Sequence, residues 1–167
     1  MSDSLGLSVG TTNLVATAAG RSTVIRRSVL TVYPDRPAEV GVPGENPNLD
    51  VPQPDSLVLT GFVERVGDPI PLVAADGSAH QAERVLAEAL DAMARAAGGG
   101  SPVAIAVPSY WGPAAVGALL PVGHVAFVHR RPDVVSGTND LGRPRREFPN
   151  QFRLPGNPGH APRVELQ

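Results

Sequence analysis

The feature that most constrains the fold is a helix, stop and strand in direct succession. Ala82, Val85, Leu86, Ala89, Leu90 and Met93 recur at the spacing of one apolar helical face. Ser78 and Gln81 stand three apart in front of them, the pattern of a capping box in which each side chain satisfies the other residue's free backbone donor. Together these predict a helix over 79–97. Gly98-Gly99-Gly100 ends it. Val103 to Val107, "VAIAV", is apolar at every position, as expected of a strand buried on both faces of a parallel sheet. "PSYWGPAAVGALL" then turns and begins a second helix, with Pro113 at its first position.

The N-terminal part reads differently. Leu5, Leu7 and Val9 alternate with Gly6 and Ser8, the period of a half-buried strand. Gly10-Thr11-Thr12-Asn13 turns the chain, and "LVATA" resumes as a second strand. "STVIRR" and "SVLTVY" follow as further strands, so a meander of hairpins is expected. Pro34 to Pro54, rich in Pro, Gly, Asn and Asp, reads as a long loop. "SLVLTGFVERVGD" is strand or short helix, and "IPLVAADGS" is a short strand closed by an Asp76-Gly77 turn. A β-meander followed by helix, buried strand and helix predicts an α/β layered domain.

The Gly-Thr-Thr turn has two readings from its residues alone. Glycine lets a backbone approach a phosphate, the N–H groups of a tight turn make an anion nest, and threonine hydroxyls add donors. An ordinary hairpin turn has the same composition.

Composition narrows the chemistry. The 167 residues carry a formal net charge of −2, which gives no general attraction to nucleic acid or membrane surfaces. There is no cysteine, which excludes disulfides and thiolate catalysis. All 14 basic residues are arginine, so every lysine-dependent mechanism is excluded as well. No signal peptide or membrane span is expected, and the cytoplasm is the expected location. Residues 1–120 hold 7 Arg against 12 acids, whereas 121–167 hold 7 Arg against 4, and from Arg130 on the chain is polar, Pro/Gly-rich and aperiodic. Two segments follow: a lobe over 1–120 and an irregular, disordered tail over 121–167, with "VGHVAFVH" as one candidate strand.

Three motifs in order carry a family resemblance. "LGLSVGTTNLVA" resembles the first phosphate motif of the 70-kDa heat-shock chaperones (DnaK-type) of the actin-like ATPase superfamily, G-I-D-L-G-T-T-N-S. "RRSVLTVY" is similar to their R-T-T-P-S-V-V-A-F strand, and "VAIAVPSYWGPAA" to their A-V-I-T-V-P-A-Y-F-N-D-A-Q segment. The resemblance covers residues 5 to about 120. It implies a partial actin-like ATPase (ribonuclease H-like) lobe, α/β with a mixed β-sheet and packed helices. It also implies that Gly10, Thr11, Thr12 and Asn13 hold the phosphates of ATP or ADP, with Mg²⁺ as companion and weak binding at best.

The departures point away from hydrolysis. Ser8 stands where the family has the aspartate that organises the Mg²⁺ waters. The family's lysine would fall near Phe62 to Arg65, where Arg65 is the one available cation, and a rigid guanidinium fork is not equivalent to a lysine point charge. The family's second phosphate motif, D-x-G-G-G-T, and its adenosine motif are missing. The expected function is a heat-shock-chaperone-like actin-fold protein that binds ATP without hydrolysing it. The alternative is a non-catalytic protein-interaction scaffold, with the 34–54 loop or the tail as contact surface. The tail's Arg/Pro/Gly composition is also what a GC-rich gene gives in a shifted frame, which would make it the end of a truncated lobe.

The remaining candidates have plain readings. Tyr110 and Trp111 are expected to pack, and His80 to be solvated in the first turn of the helix. His124, His129 and His160 lack metal-ligand spacing, so no metal site is expected. Asp68 and Asp76 read as turn formers. The Arg130-Arg131 and Arg143-Pro-Arg-Arg clusters read as solvated rather than as a nucleic-acid surface. No membrane partner is expected, and the sequence does not identify a protein partner or client.

Overall fold

The structure, a computed structural model, describes residues 3–50, 53–101, 103–119 and 127–130. All lie in the unit Met1–Asp133, and the unit Val134–Gln167 is outside the described residues. The expected tail therefore lies outside them too, apart from the strand at 127–130.

The first three strands form the expected meander: β1 (Leu5–Ser8), β2 (Asn13–Ala18) and β3 (Val24–Arg27), antiparallel in turn. Their alternation is real. Leu5 and Leu7 of β1 and Leu14, Ala16 and Ala18 of β2 are buried on one face, while Asn13 and Thr17 are exposed on the other.

At Ser28 the chain leaves this sheet. It enters a second, three-stranded sheet of β4 (Leu30–Val32), β5 (Glu39–Val40) and β6 (Leu57–Leu59), with β4 in the centre. Leu30 pairs with Val40 on one side and Leu59 on the other, so three buried side chains form one row across the sheet. The 34–54 segment contains β5 and a 3-10 turn, Pro47–Leu49, and is pinned by the buried Asn46. The Asn46 amide donates to Val40 O (3.0 Å) and Glu39 Oε2 (2.9 Å), and its carbonyl accepts from Asn48 N (3.1 Å).

Next come a hairpin of β7 (Leu72–Val73) and β8 (Ala79–His80), and the helix α1 (Ala82–Ala96). The expected capping box does not form. Gln81 is the N-cap and makes no side-chain cap bond, while Ser78 is held in the hairpin turn, its Oγ donating to Asp76 Oδ1 at 2.6 Å. The expected apolar face is correct: Ala82, Val85, Leu86, Ala89, Leu90 and Met93 are all buried. Ala87 and Ala92 are buried beside them, because α1 packs on β1 and β2 of the first sheet and on β5 of the second. Gly98 and Gly99 close a Schellman motif, with Gly99 N donating to Ala94 O (2.8 Å) and Gly98 N to Arg95 O (3.0 Å).

β9 (Val103–Val107) returns to the first sheet parallel to β1, and α2 (Pro113–Leu119) follows it. β10 (Phe127–Arg130) then pairs parallel to β9 within the candidate strand 122–129, reaching one residue beyond it. The five-stranded sheet has the order β10-β9-β1-β2-β3. In β9 only Ile105 and Val107 are fully buried. Ala104 and Ala106 on the opposite face are half-buried, so the apolar run reports a parallel strand but not one equally buried on both faces. The fold is the expected mixed α/β lobe, with a mixed sheet and packed helices.

Candidate functional site

β1, β9 and β10 run parallel, so their carboxyl ends lie on one side of the sheet, the side where open α/β sheets place ligands. Two loops emerge there as neighbours: Gly10–Thr12 after β1 and Pro108–Gly112 after β9. Val9 N donates to Ala106 O (2.8 Å), which carries the β1–β9 ladder up to the edge of the Gly-Thr-Thr turn.

The turn is tight because residue 10 is glycine. A Cβ there would lie 2.8 Å from the carbonyl oxygen of Asn13, a backbone atom that cannot swing aside. Thr11, Thr12 and Asn13 are exposed, and no hydrogen bond within the described residues engages their side chains. The Thr11 and Thr12 N–H groups are likewise without partners there. Two of the turn's carbonyls are engaged instead: Gly10 O accepts from Ser28 Oγ (2.6 Å) and Thr12 O from Ser28 N (2.9 Å). The four residues singled out in the sequence are thus brought together as one turn, with the Thr11 and Thr12 N–H groups and hydroxyls uncommitted among the described residues.

The neighbouring loop corrects one expectation. Trp111 is packed, 3% exposed, but Tyr110 is 63% exposed. Desolvation pushes its phenol pKa up; a hydrogen bond with Trp111 opposes this, and the charge of Glu64 adds a smaller upward push. Segment 62–67 approaches this side as well: Gly67 closes on α2, where a Cβ would meet Ala115 Cα at 3.1 Å. Arg65 is already committed, with Nη2 3.4 Å from Asp68 Oδ2 and donating to Ile70 O at 3.0 Å, so it is not a free cation for the turn.

Ser8 decides the fit of a magnesium ion. Its Oγ is buried and without a hydrogen-bond partner among the described residues. An enclosed neutral hydroxyl does not fit a hard cation that keeps several waters and prefers carboxylates. Among the described residues, no group of three or more His, Asp or Glu could hold a metal ion. The donor set at this turn therefore does not suit Mg²⁺.

Asp68 and Asp76 are turn formers as expected, accepting from Ile70 N and Ser78 N respectively, each at 2.9 Å. His80 is not in the helix. It lies half-buried in β8 with Nε2 2.7 Å from Ser78 Oγ. Because the Ser78 hydroxyl is donated to Asp76, His80 serves as donor in that contact. His124, His160, Arg131 and the Arg143-Pro-Arg-Arg cluster lie outside the described residues. Among the described residues, no helix is long and apolar enough to cross a membrane.

Fold and site together define a mixed α/β lobe with a donor-rich Gly-Thr-Thr turn at the carboxyl end of its parallel strands. No known protein family matches the sequence, and no curated protein matches it. Among solved structures, the crystal structure of MreB 5 of Spiroplasma citri bound to AMPPNP is similar to this chain at 17% identity, with a TM-score of 0.41. The similarity covers 78% of this chain and 38% of that chain, so this chain spans well under half of its length.

Proposed function

We propose that the Gly10–Asn13 turn binds the phosphates of ATP or ADP, in a lobe of the actin-like ATPase kind related to the 70-kDa heat-shock chaperones. The observation that carries this reading is the turn itself. The carbonyls of Gly10 and Thr12 are held by Ser28, and among the described residues the Thr11 and Thr12 N–H groups and hydroxyls are uncommitted, at the carboxyl ends of β1 and β9. The sheet order, a three-stranded antiparallel meander extended beside β1 by two parallel strands, supports the ribonuclease H-like reading. Nucleotide binding is tested by thermal shift with ATP and ADP, with and without Mg²⁺. A ligand at 100 times its Kd should add about 2.7 kcal/mol of stability. Because the Ser8 hydroxyl is enclosed, the shift is expected to be nearly the same in both arms, and no shift at millimolar ATP would refute the reading.

Binding is proposed without turnover. Ser8 replaces the family's carboxylate, Arg65 is held by Asp68, and the chain contains no lysine. Loss of one preorganised stabilising group typically costs about 2.7–4 kcal/mol of barrier, and here several are missing. Single-turnover assays with excess protein and radiolabelled ATP are expected to give the buffer rate. A faster rate that disappears in Thr11→Ala would overturn the inactive reading.

A second reading, a non-catalytic interaction scaffold, is favoured by Val58, Ile70 and Val73, large apolar side chains exposed on or beside β6 and β7. A protein partner that protects these residues from exchange, with no nucleotide effect, would favour it.

A further inference from the structure

We infer that Ser28 is the positioning residue of the Gly10–Asn13 turn: it fixes the turn's peptide planes so that donors face outward before any anion arrives. The inference rests on the phosphate-binding reading for its function, but its structural content stands on the turn alone.

Ser28 is 7% exposed and makes two bonds to one loop, its Oγ donating to Gly10 O at 2.6 Å and its N–H to Thr12 O at 2.9 Å. A planar trans peptide sets each carbonyl opposite the N–H of the next residue. Drawing Gly10 O toward Ser28 therefore turns Thr11 N–H away from it, toward the exposed side of the turn. Without the Ser28 hydroxyl this peptide could flip, and the turn would present a carbonyl to an anion instead of a donor.

The brace itself is held fixed. Ser28 is the apex of a one-residue corner, in which Val29 N donates to Arg27 O at 2.7 Å, and there the chain passes from β3 to β4. Glu45, from the 34–54 segment, clamps the corner from outside: Oε2 accepts Arg27 N at 3.0 Å and Oε1 lies 3.3 Å from Arg27 Nε. Gly41 N closes the other flank on Val29 O at 2.9 Å. A donor rooted in a corner fastened on both sides orients a neighbouring loop without reorganising, which is what a preorganised first contact requires.

Ser28→Ala, Ser28→Thr and a distant destabilised control, Leu72→Ala, separate positioning from loss of fold. In the free protein, ¹⁵N-¹H spectra of Ser28→Ala should show displaced and more mobile Gly10, Thr11 and Thr12 amides, and Ser28→Thr should restore them. Calorimetry with ATP should give roughly ten-fold weaker binding for Ser28→Ala, equivalent to about 1.4 kcal/mol, near-parental binding for Ser28→Thr, and unchanged affinity for Leu72→Ala despite its lower Tm. Parental turn amides in Ser28→Ala, or parental affinity in that variant, would overturn the inference. If the parent protein binds no ATP, the phosphate reading falls, while the free-state amides still decide whether Ser28 positions the turn.

Discussion

Gly98, Gly99 and Gly100 look interchangeable in the sequence, but the structure requires each for a different reason. Alanine substitutions should therefore separate them. Gly99 has φ +72° and open space around it, so Gly99→Ala carries only the penalty of a left-handed L-residue, about 1 kcal/mol. Gly98 has φ +85°, and a Cβ there would collide with Arg21 Nη1, which donates to Gly98 O (2.7 Å) and Ala97 O (3.3 Å). Because the guanidinium is exposed and can swing away, the added loss is about 0.5–1 kcal/mol, for a total of about 1.5–2 kcal/mol. Gly100 has no positive φ, yet its Cβ would run into the Asp3 carbonyl and lie 3.0 Å from Leu5 Cβ and 3.1 Å from Leu5 N. These are parts of the chain entering β1, tied down by Ser101 N donating to Asp3 O at 2.9 Å. Overpacking against backbone, with that bond broken, should cost about 2–3 kcal/mol. Urea titrations at a common m-value should order the losses Gly99, Gly98, Gly100. In an Arg21→Ala background, Gly98→Ala should fall to the Gly99→Ala value, the difference being the coupling energy. Equal losses at all three positions, or the smallest at Gly100, would refute the geometry and leave the triplet as a flexible stop.

Leu86, 0% exposed and inside the α1 face, should tolerate no charge: Leu86→Asp is expected to lose more than about 4 kcal/mol by urea titration, and a parental midpoint would mean the face is misassigned. Thr11→Ala should weaken ATP binding several-fold by calorimetry while leaving Tm unchanged, since Thr11 is exposed and its side chain makes no hydrogen bond among the described residues; unchanged affinity would argue against the turn as the phosphate site. The Ser78 hydroxyl, and then its N–H, hold the Asp76 carboxyl below the ordinary carboxylate range. The folded pKa is depressed, so this contribution is present above the ordinary carboxylate value and is lost as pH falls through the folded value. Asp76→Asn should flatten the acid limb of a pH–stability profile, and an unaltered limb would refute the assignment.

What the sequence made legible were patterns repeated over several residues. The α1 face, the parallel strand 103–107 and the alternation of β1 and β2 each rest on many side chains that agree. Ser78 shows why single-residue signals fail. It had two available partners, the first turn of α1 and the Asp76-Gly77 turn, and the nearer carboxylate won. That choice also moved His80 from the helix into β8. The 34–54 segment reads as loop because β5 is only two residues long and its partner, β4, comes earlier in the chain. Tyr110 and Trp111 are adjacent aromatics with opposite fates, decided by which way the turn after β9 faces. The Gly10–Asn13 turn was visible from its own residues. Its fastening by Ser28 was not, because nothing local joins positions separated by eighteen residues.

β1 is the central strand of its five-stranded sheet, yet its two neighbours are made at very different times. β2 follows within a few residues, whereas Leu5 pairs with Val103 almost a hundred residues later. During synthesis, the meander therefore emerges with the β1 edge bare, and it is completed only after the second sheet and α1 have been made. Closing so long a loop late makes the docking of β9 a natural slow step in folding. Until then, an open strand bearing Leu5 and Leu7 is the point at which this chain is most exposed to wrong pairing with another copy.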